Sequence, residues 1–135
     1  MRVLGVDFGR QRIGLAIGES EFEVVTPRKA IAATGTLKKD AEAITQFART
    51  EEAELIVLGV PVYEDNPRMQ NVMLRLADEM RALGTPVETV DESLSSVAAD
   101  AVLKESDLTA AGRKARLDSE AACQILLRYY QGRKI

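Results

Sequence analysis

MRVLGVDFGRQRIGLAIG, residues 1–18, holds two apolar runs of strand length around a polar turn. Val3, Leu4, Val6 and Phe8 form the first run, and Ile13, Leu15, Ala16 and Ile17 the second. Between them lies Gly9-Arg10-Gln11-Arg12. Apolar runs rich in β-branched residues, flanking a short turn that glycine begins, predict a β-hairpin. Asp7 interrupts the first run. A near-continuous apolar strand is usually buried on both faces, where an ionised carboxylate without a partner is costly. Asp7 therefore either bonds the amides of Gly9 or Arg10, as turn aspartates do, or meets a cation.

Working outward, residues 21–28 carry Phe22, Val24 and Val25 and predict a third strand, stopped by Pro27 at the sheet edge. Leu37, Ala41, Ile44, Phe47 and Ala48 then recur at helical spacing, with Thr36 as N-cap. Leu55 to Leu58 is a continuous apolar run, the pattern of a central parallel strand, ended by Gly59-Val60-Pro61. Pro67 stands at a helix start; Met73, Leu76, Ala77, Met80 and Leu83 make the apolar face, and Gly84 the stop. Residues 87–90 predict a fifth strand, and Ser93 caps a helix with Leu94, Val97, Ala98, Ala101 and Val102 on one face. Residues 104–117 read as a polar loop, and a last helix is expected over residues 119–130 with a frayed tail after it. This order predicts one α/β domain over residues 1–135. Its mixed five-stranded sheet has three antiparallel strands, then βαβ crossovers, with helices on its faces.

Composition narrows the chemistry. The chain of 135 residues has one cysteine and no histidine. An intrachain disulfide is impossible, and Cys123, in a helical pattern, reads as a small packed residue. Histidine-based triads and zinc sites of the histidine type are excluded. A metal here must be a hard cation held by oxygen, Mg²⁺ or Mn²⁺. No apolar run approaches the ~20 residues of a membrane helix, and no signal peptide is visible, so a cytoplasmic protein without membrane contact is expected. The net charge of −3 gives no support to nucleic-acid binding by bulk charge. Bases nevertheless cluster at Arg10 and Arg12 and again at Arg113, Lys114 and Arg116.

Three acidic positions adjoin apolar sequence at element boundaries: Asp7, the pair Asp91-Glu92, and Asp118. Asp118 can be an N-cap, and Asp91-Glu92 can simply favour the positive end of a helix dipole. If the first and fifth strands lie near each other, Asp7 and Asp91-Glu92 converge, and Asp118 can reach them from the last helix. Converging carboxylates do not all stay ionised without cations. Such clusters serve two-metal phosphoryl chemistry, which needs no histidine.

The chain resembles the YqgF/RuvX family of the ribonuclease-H-like fold, nucleases assigned as Holliday-junction resolvases and to 5′-end maturation of pre-16S rRNA. LGVDFGRQRIGLAIG is similar to the family's opening motif, LIVLGVPV to its "vvGlP" turn, VDESL to its "DERLT" motif and LDSEAACQILLRYY to its closing motif. The resemblance spans nearly the whole chain. Ser93 stands where the family usually has arginine, and Tyr63-Glu64-Asp65-Asn66-Pro67 replaces its glycine-containing loop. The resemblance implies that Asp7, Glu92 or Asp91, and Asp118 are the catalytic acids, with Asp7, Glu92 and Asp118 as ligands of Mg²⁺ or Mn²⁺. Arg10, Arg12, Arg113, Lys114 and Arg116 would hold phosphates of structured RNA or branched DNA. Three functions follow as expectations: maturation of pre-16S rRNA, resolution of Holliday junctions in recombination and repair, and non-catalytic binding in ribosome assembly. The chain is expected as a monomer or a homodimer, the latter for junction resolution, which needs two symmetric cuts.

Overall fold

The computed structural model describes residues 1–61, 67–91 and 110–133, the last stretch with side chains from 119 to 132. The strands are β1 (Arg2–Phe8), β2 (Arg12–Glu19), β3 (Val24–Ala32), β4 (Leu55–Val60) and β5 (Val87–Asp91). The helices are α1 (Leu37–Thr50), α2 (Pro67–Ala82) and α3 (Ala110–Arg133). The sheet order is β3-β2-β1-β4-β5. β1, β2 and β3 pair antiparallel, and β4 pairs parallel to both β1 and β5. The mixed five-stranded sheet is thus the predicted one.

Alternation along the strands divides the core in two. Leu4, Val6, Ile13, Leu15, Ile56 and Leu58 pack under α1 and α2 with Ile44, Met73, Leu76 and Met80. Val3, Ala16 and Val57 face the other way and pack under α3 with Ala122, Ile125, Leu126 and Tyr130. β4 is buried along its whole length because helices cover both of its faces. The hairpin between β1 and β2 closes through a hydrogen bond from the Gly9 amide to the Arg12 carbonyl, 2.9 Å. A Cβ at Gly9 would stand 2.7 Å from that carbonyl oxygen, so the turn demands glycine.

Four expectations change. β3 does not end at Pro27 but runs on to Ala32, with Pro27 opposite Ala16. β3 is an edge strand, where a missing N–H costs no ladder bond. Phe22 lies in the turn before β3, 75% exposed, rather than in the strand. Thr36 occupies the N-cap of α1, but its side chain makes no capping bond. Instead Asp40 Oδ1 accepts from the amide and the hydroxyl of Thr34, both at 2.8 Å. The last helix begins at Ala110, not at 119, and continues to Arg133 rather than fraying after 130. Ala110, Ala111, Lys114, Ala115, Arg116 and Leu117 are strong helix formers, and their summed propensity outweighs Gly112. The helix expected after Ser93 lies outside the described residues, as do residues 62–66 and 104–109.

Cys123 is buried against the sheet, and its thiol is pushed up to about 12, first by desolvation and then by the charge of Glu120. It is a packing residue, as its sequence context implies.

At the amino ends of the strands Glu51 ties α1 to the sheet. Arg28 Nε approaches it at 2.7 Å and Arg2 Nη2 at 3.3 Å, while Arg2 also meets Glu19 at 3.0 Å. The hydrogen bond from Arg28 holds the Glu51 carboxyl below its ordinary 4.5, with the charges of Arg28 and Arg2 adding to it against desolvation. A depressed carboxyl contributes stability above its unfolded value, and that contribution is lost as pH falls through the folded value. Glu51→Gln should therefore lower the urea midpoint above pH 4.5, and the gap to wild type should close at lower pH. Parallel midpoint curves for the two proteins across that range would assign this ion pair no role in stability.

Candidate active site

Asp7 is the penultimate residue of β1, half-buried and paired with Gly14 of β2. It sits at the carboxyl end of a strand whose neighbours on one side run parallel, the end where α/β sheets place their sites. Val3, Gly5 and Asp7 share the face covered by α3. A Cβ on Gly5 would stand 2.6 Å from Leu126 Cγ and 2.9 Å from the Ala122 carbonyl oxygen. The bare Gly5 backbone thus lets α3 lie directly on β1. Position 118 comes one helical turn before Ala122, in the same stripe as Ala122 and Leu126. The helix backbone therefore passes over the carboxyl end of β1, and position 118 falls at the level of Asp7.

β1 and β5 are not neighbours: β4 lies between them, which sets them two strand spacings, about 10 Å, apart. One step beyond the Val6–Leu58 pair, Asp7 is level with Gly59, and Gly59 pairs with Val90. Gly59 carries no side chain to fill the space between β1 and β5. Asp91 pairs with Val60, whose side chain belongs to the core under α1 and α2. Asp91 therefore falls on the face opposite Asp7, and its backbone carbonyl accepts from Arg128 Nη1 of α3.

Glu92 lies outside the described residues, and so do the side chains of Asp118, Arg113, Lys114 and Arg116. The backbone of the last four belongs to α3, so the three bases stand in the first two turns of a helix rather than in a loop. Arg10 and Arg12 are exposed in the hairpin turn, at the same end of the sheet as Asp7. Arg68, in the first turn of α2, joins Arg10 around a cleft at this end. Nothing in the local sequence marks Arg68. The signal was the crossover itself, because the loop after a parallel strand returns the next helix start to the strands' carboxyl ends. Glu51 and Glu54 lie at the opposite end, beside Arg2. A chain of net charge −3 thus carries local positive charge where Asp7 is. Among the described residues no three acids, cysteines or histidines come together as a metal cage.

The fold is that of the ribonuclease-H-like class. Thermus thermophilus RuvC in complex with a Holliday-junction substrate superposes with a TM-score of 0.55 at 11% identity, covering 96% of each chain. The fowlpox virus resolvase, in complex with Holliday-junction DNA, gives 0.56 at 12% identity over 98% of each chain. At such identities the likeness concerns the fold. Within that class the chain belongs to the RuvX family, described as Holliday junction resolvase, whose model matches residues 1–132. Relatives named "Putative pre-16S rRNA nuclease" occur in Anaeromyxobacter sp. strain K and in Methylobacillus flagellatus. The first is 37% identical over 131 residues, 93% of each chain. The second is 36% identical over 133 residues, 96% of this chain and 90% of the relative. Family and relatives alike bear the names of nucleases.

Proposed function

We propose that this protein is a divalent-metal-dependent endonuclease of the cytoplasm that cuts structured nucleic acid, in the 5′-end processing of pre-16S rRNA. The observation that carries the reading is Asp7 under α3 at the carboxyl end of β1, with position 118 brought to its level by the Gly5 contact. Asp7, Glu92 and Asp118 form the donor set, and Asp91, on the other face, is set aside as a ligand. Three carboxylates are hard oxygen donors and suit Mg²⁺ or Mn²⁺. A cation held there supplies an activated water and stabilises the leaving oxygen. The chain's own work is positioning. Asp7 is held by the β1–β2 ladder, and arginines at the same end hold the phosphates flanking the scissile bond. The relatives' names favour pre-16S rRNA as substrate. The family description favours branched DNA, for which a homodimer would deliver the two symmetric cuts.

Cleavage of matched pre-rRNA and four-way-junction substrates, with and without Mn²⁺, tests the reading. Cleavage of the pre-rRNA alone supports it, and cleavage of the junction alone moves the protein to DNA resolution. Binding without cleavage of either makes it an assembly factor.

Metal binding has its own readout. Mg²⁺ or Mn²⁺ should raise the thermal midpoint of wild type, since a ligand at 100 times its Kd adds about 2.7 kcal/mol to the folded state. A variant lacking Asp7, Glu92 and Asp118 should show no rise. A rise that persists there places the cation elsewhere.

Arg113, Lys114 and Arg116 are assigned to the substrate clamp. The first two turns of α3 lead directly to position 118, so phosphates bound there lie beside the acids. Replacing all three by alanine should weaken binding on every sequence and lower the log–log salt slope by up to about three. An unchanged slope would move the clamp to Arg10 and Arg12.

A further inference from the structure

Two adjoining cavities open at the carboxyl end of β1, on the side of the sheet under α1 and α2. One, of about 250 Å³, is lined by Phe8, Gly9, Arg10, Arg68, Met69 and Val72. The other, of about 370 Å³, shares Phe8, Arg10 and Val72 and extends to Ala33, Leu37 and Asp40. Together they reach the size of small-ligand clefts, roughly 300–1,000 Å³. The walls are apolar with one aromatic ring. The two bases are arginines, and among the described residues neither pairs with an acid. Asp40 is only 1% exposed. Both bonds from Thr34 end on its Oδ1, which leaves Oδ2 as an acceptor.

This combination selects its occupant. A phosphate would be repelled by the buried Asp40 carboxylate and would find an apolar lining. A flat heterocycle meets an aromatic ring, a thioether and branched aliphatic carbons, with an acceptor for an amino group. Phosphates on either side of it meet the two guanidinium groups, which suit them in charge and geometry. Phe8 directly follows Asp7 in β1, so the cleft and the acid lie on opposite faces of the same strand end.

We propose that this cleft takes one unstacked nucleobase of the substrate strand, its exocyclic amino group toward Asp40, with Arg10 and Arg68 on the flanking phosphates. The inference rests on the nucleic-acid reading above and narrows it. The preferred target has an unpaired nucleotide next to the scissile bond, at a single-stranded end or a branch point, and uninterrupted duplex is disfavoured.

The test is equilibrium binding in EDTA, so that it does not depend on cleavage. The probes are short RNAs abasic at every position but one, which carries cytosine, uracil or no base. Wild type should bind the cytosine probe on the order of tenfold more tightly than the fully abasic one. Cytosine should also exceed uracil, and Asp40→Asn, which replaces the free acceptor by a donor, should reverse that order. Val72→Trp fills the wall common to both cavities and should reduce all three probes to the abasic level. Arg10→Ala with Arg68→Ala should weaken all three and lower the salt slope by about two. Equal binding of the cytosine and abasic probes by wild type overturns the proposal, as does a preference that survives Val72→Trp. Equal binding of cytosine and uracil overturns the role of Asp40. Failure to bind any probe or any structured RNA overturns the nucleic-acid reading along with this one, whereas salt-dependent binding without base preference overturns this one alone.

Discussion

Asp7→Asn should reduce metal-dependent cleavage on the order of a thousandfold or more, the loss of about 4 kcal/mol of transition-state stabilisation. Asparagine keeps the volume of the side chain and one oxygen but removes the charge that holds a cation. The backbone pairing of Asp7 with Gly14 does not involve the side chain and stays. Stability in EDTA should therefore remain within about 1 kcal/mol of wild type. The thermal rise caused by Mn²⁺ should disappear with the activity. Paired measurements of cleavage and thermal midpoint decide the matter. Undiminished cleavage would end the catalytic role of Asp7. A large loss of stability without metal would make it a structural turn aspartate.

The second large effect is expected at Gly5, an uncharged position on the same face of β1 as Asp7. A Cβ there meets Leu126 Cγ, which can turn aside, and the Ala122 carbonyl, which cannot. Overpacking of this kind typically costs about 1–3 kcal/mol. Gly5→Val, with two further methyl groups, should fall at the top of that range, while Gly5→Ala falls at its foot. Urea unfolding reads this cost directly. Because α3 must lift from β1 to admit the side chain, position 118 should move away from Asp7 as well. A misplacement of about 1 Å costs on the order of a hundredfold in rate, so cleavage should fall further than the folded fraction does. Gly132→Ala, on the same helix with open space around it, should change neither. If Gly5→Val lowers stability while cleavage per folded molecule is unchanged, the site does not depend on how α3 is seated.

Much of the fold was legible in residues 1–18 and 55–58. The hairpin, the buried parallel strand and the two crossovers follow from period-two and continuous apolar runs, which report burial directly. The errors have local causes. Pro27 reads as a stop because proline donates no ladder hydrogen bond, yet on an edge strand that loss is tolerated and pairing continues to Ala32. Residues 110–117 read as a loop because charge and Gly112 masked a run of strong helix formers with few apolar residues to mark a face. Asp7 stood out because a carboxylate within a buried strand needs a reason. Arg68 and Asp40 did not, since a charged residue in a helical pattern is ordinary.

The sequence by itself determined the five strands and the helices at residues 37–50 and 67–82, the antiparallel start and parallel continuation of the sheet, and the absence of histidine chemistry, and it singled out Asp7 as a carboxylate in an apolar strand. These depend on side-chain type and short spacing, which a linear reading holds. Only the tertiary structure decided that β4 separates β1 from β5, and that Asp91 falls on the face opposite Asp7. It also showed that Gly5 seats α3 over the acid, and that Phe8, Arg10, Asp40 and Arg68 border one cleft. Those facts depend on strand order, register and the closeness of helix to sheet. They arise from contacts between residues tens of positions apart, for which local propensity carries no information.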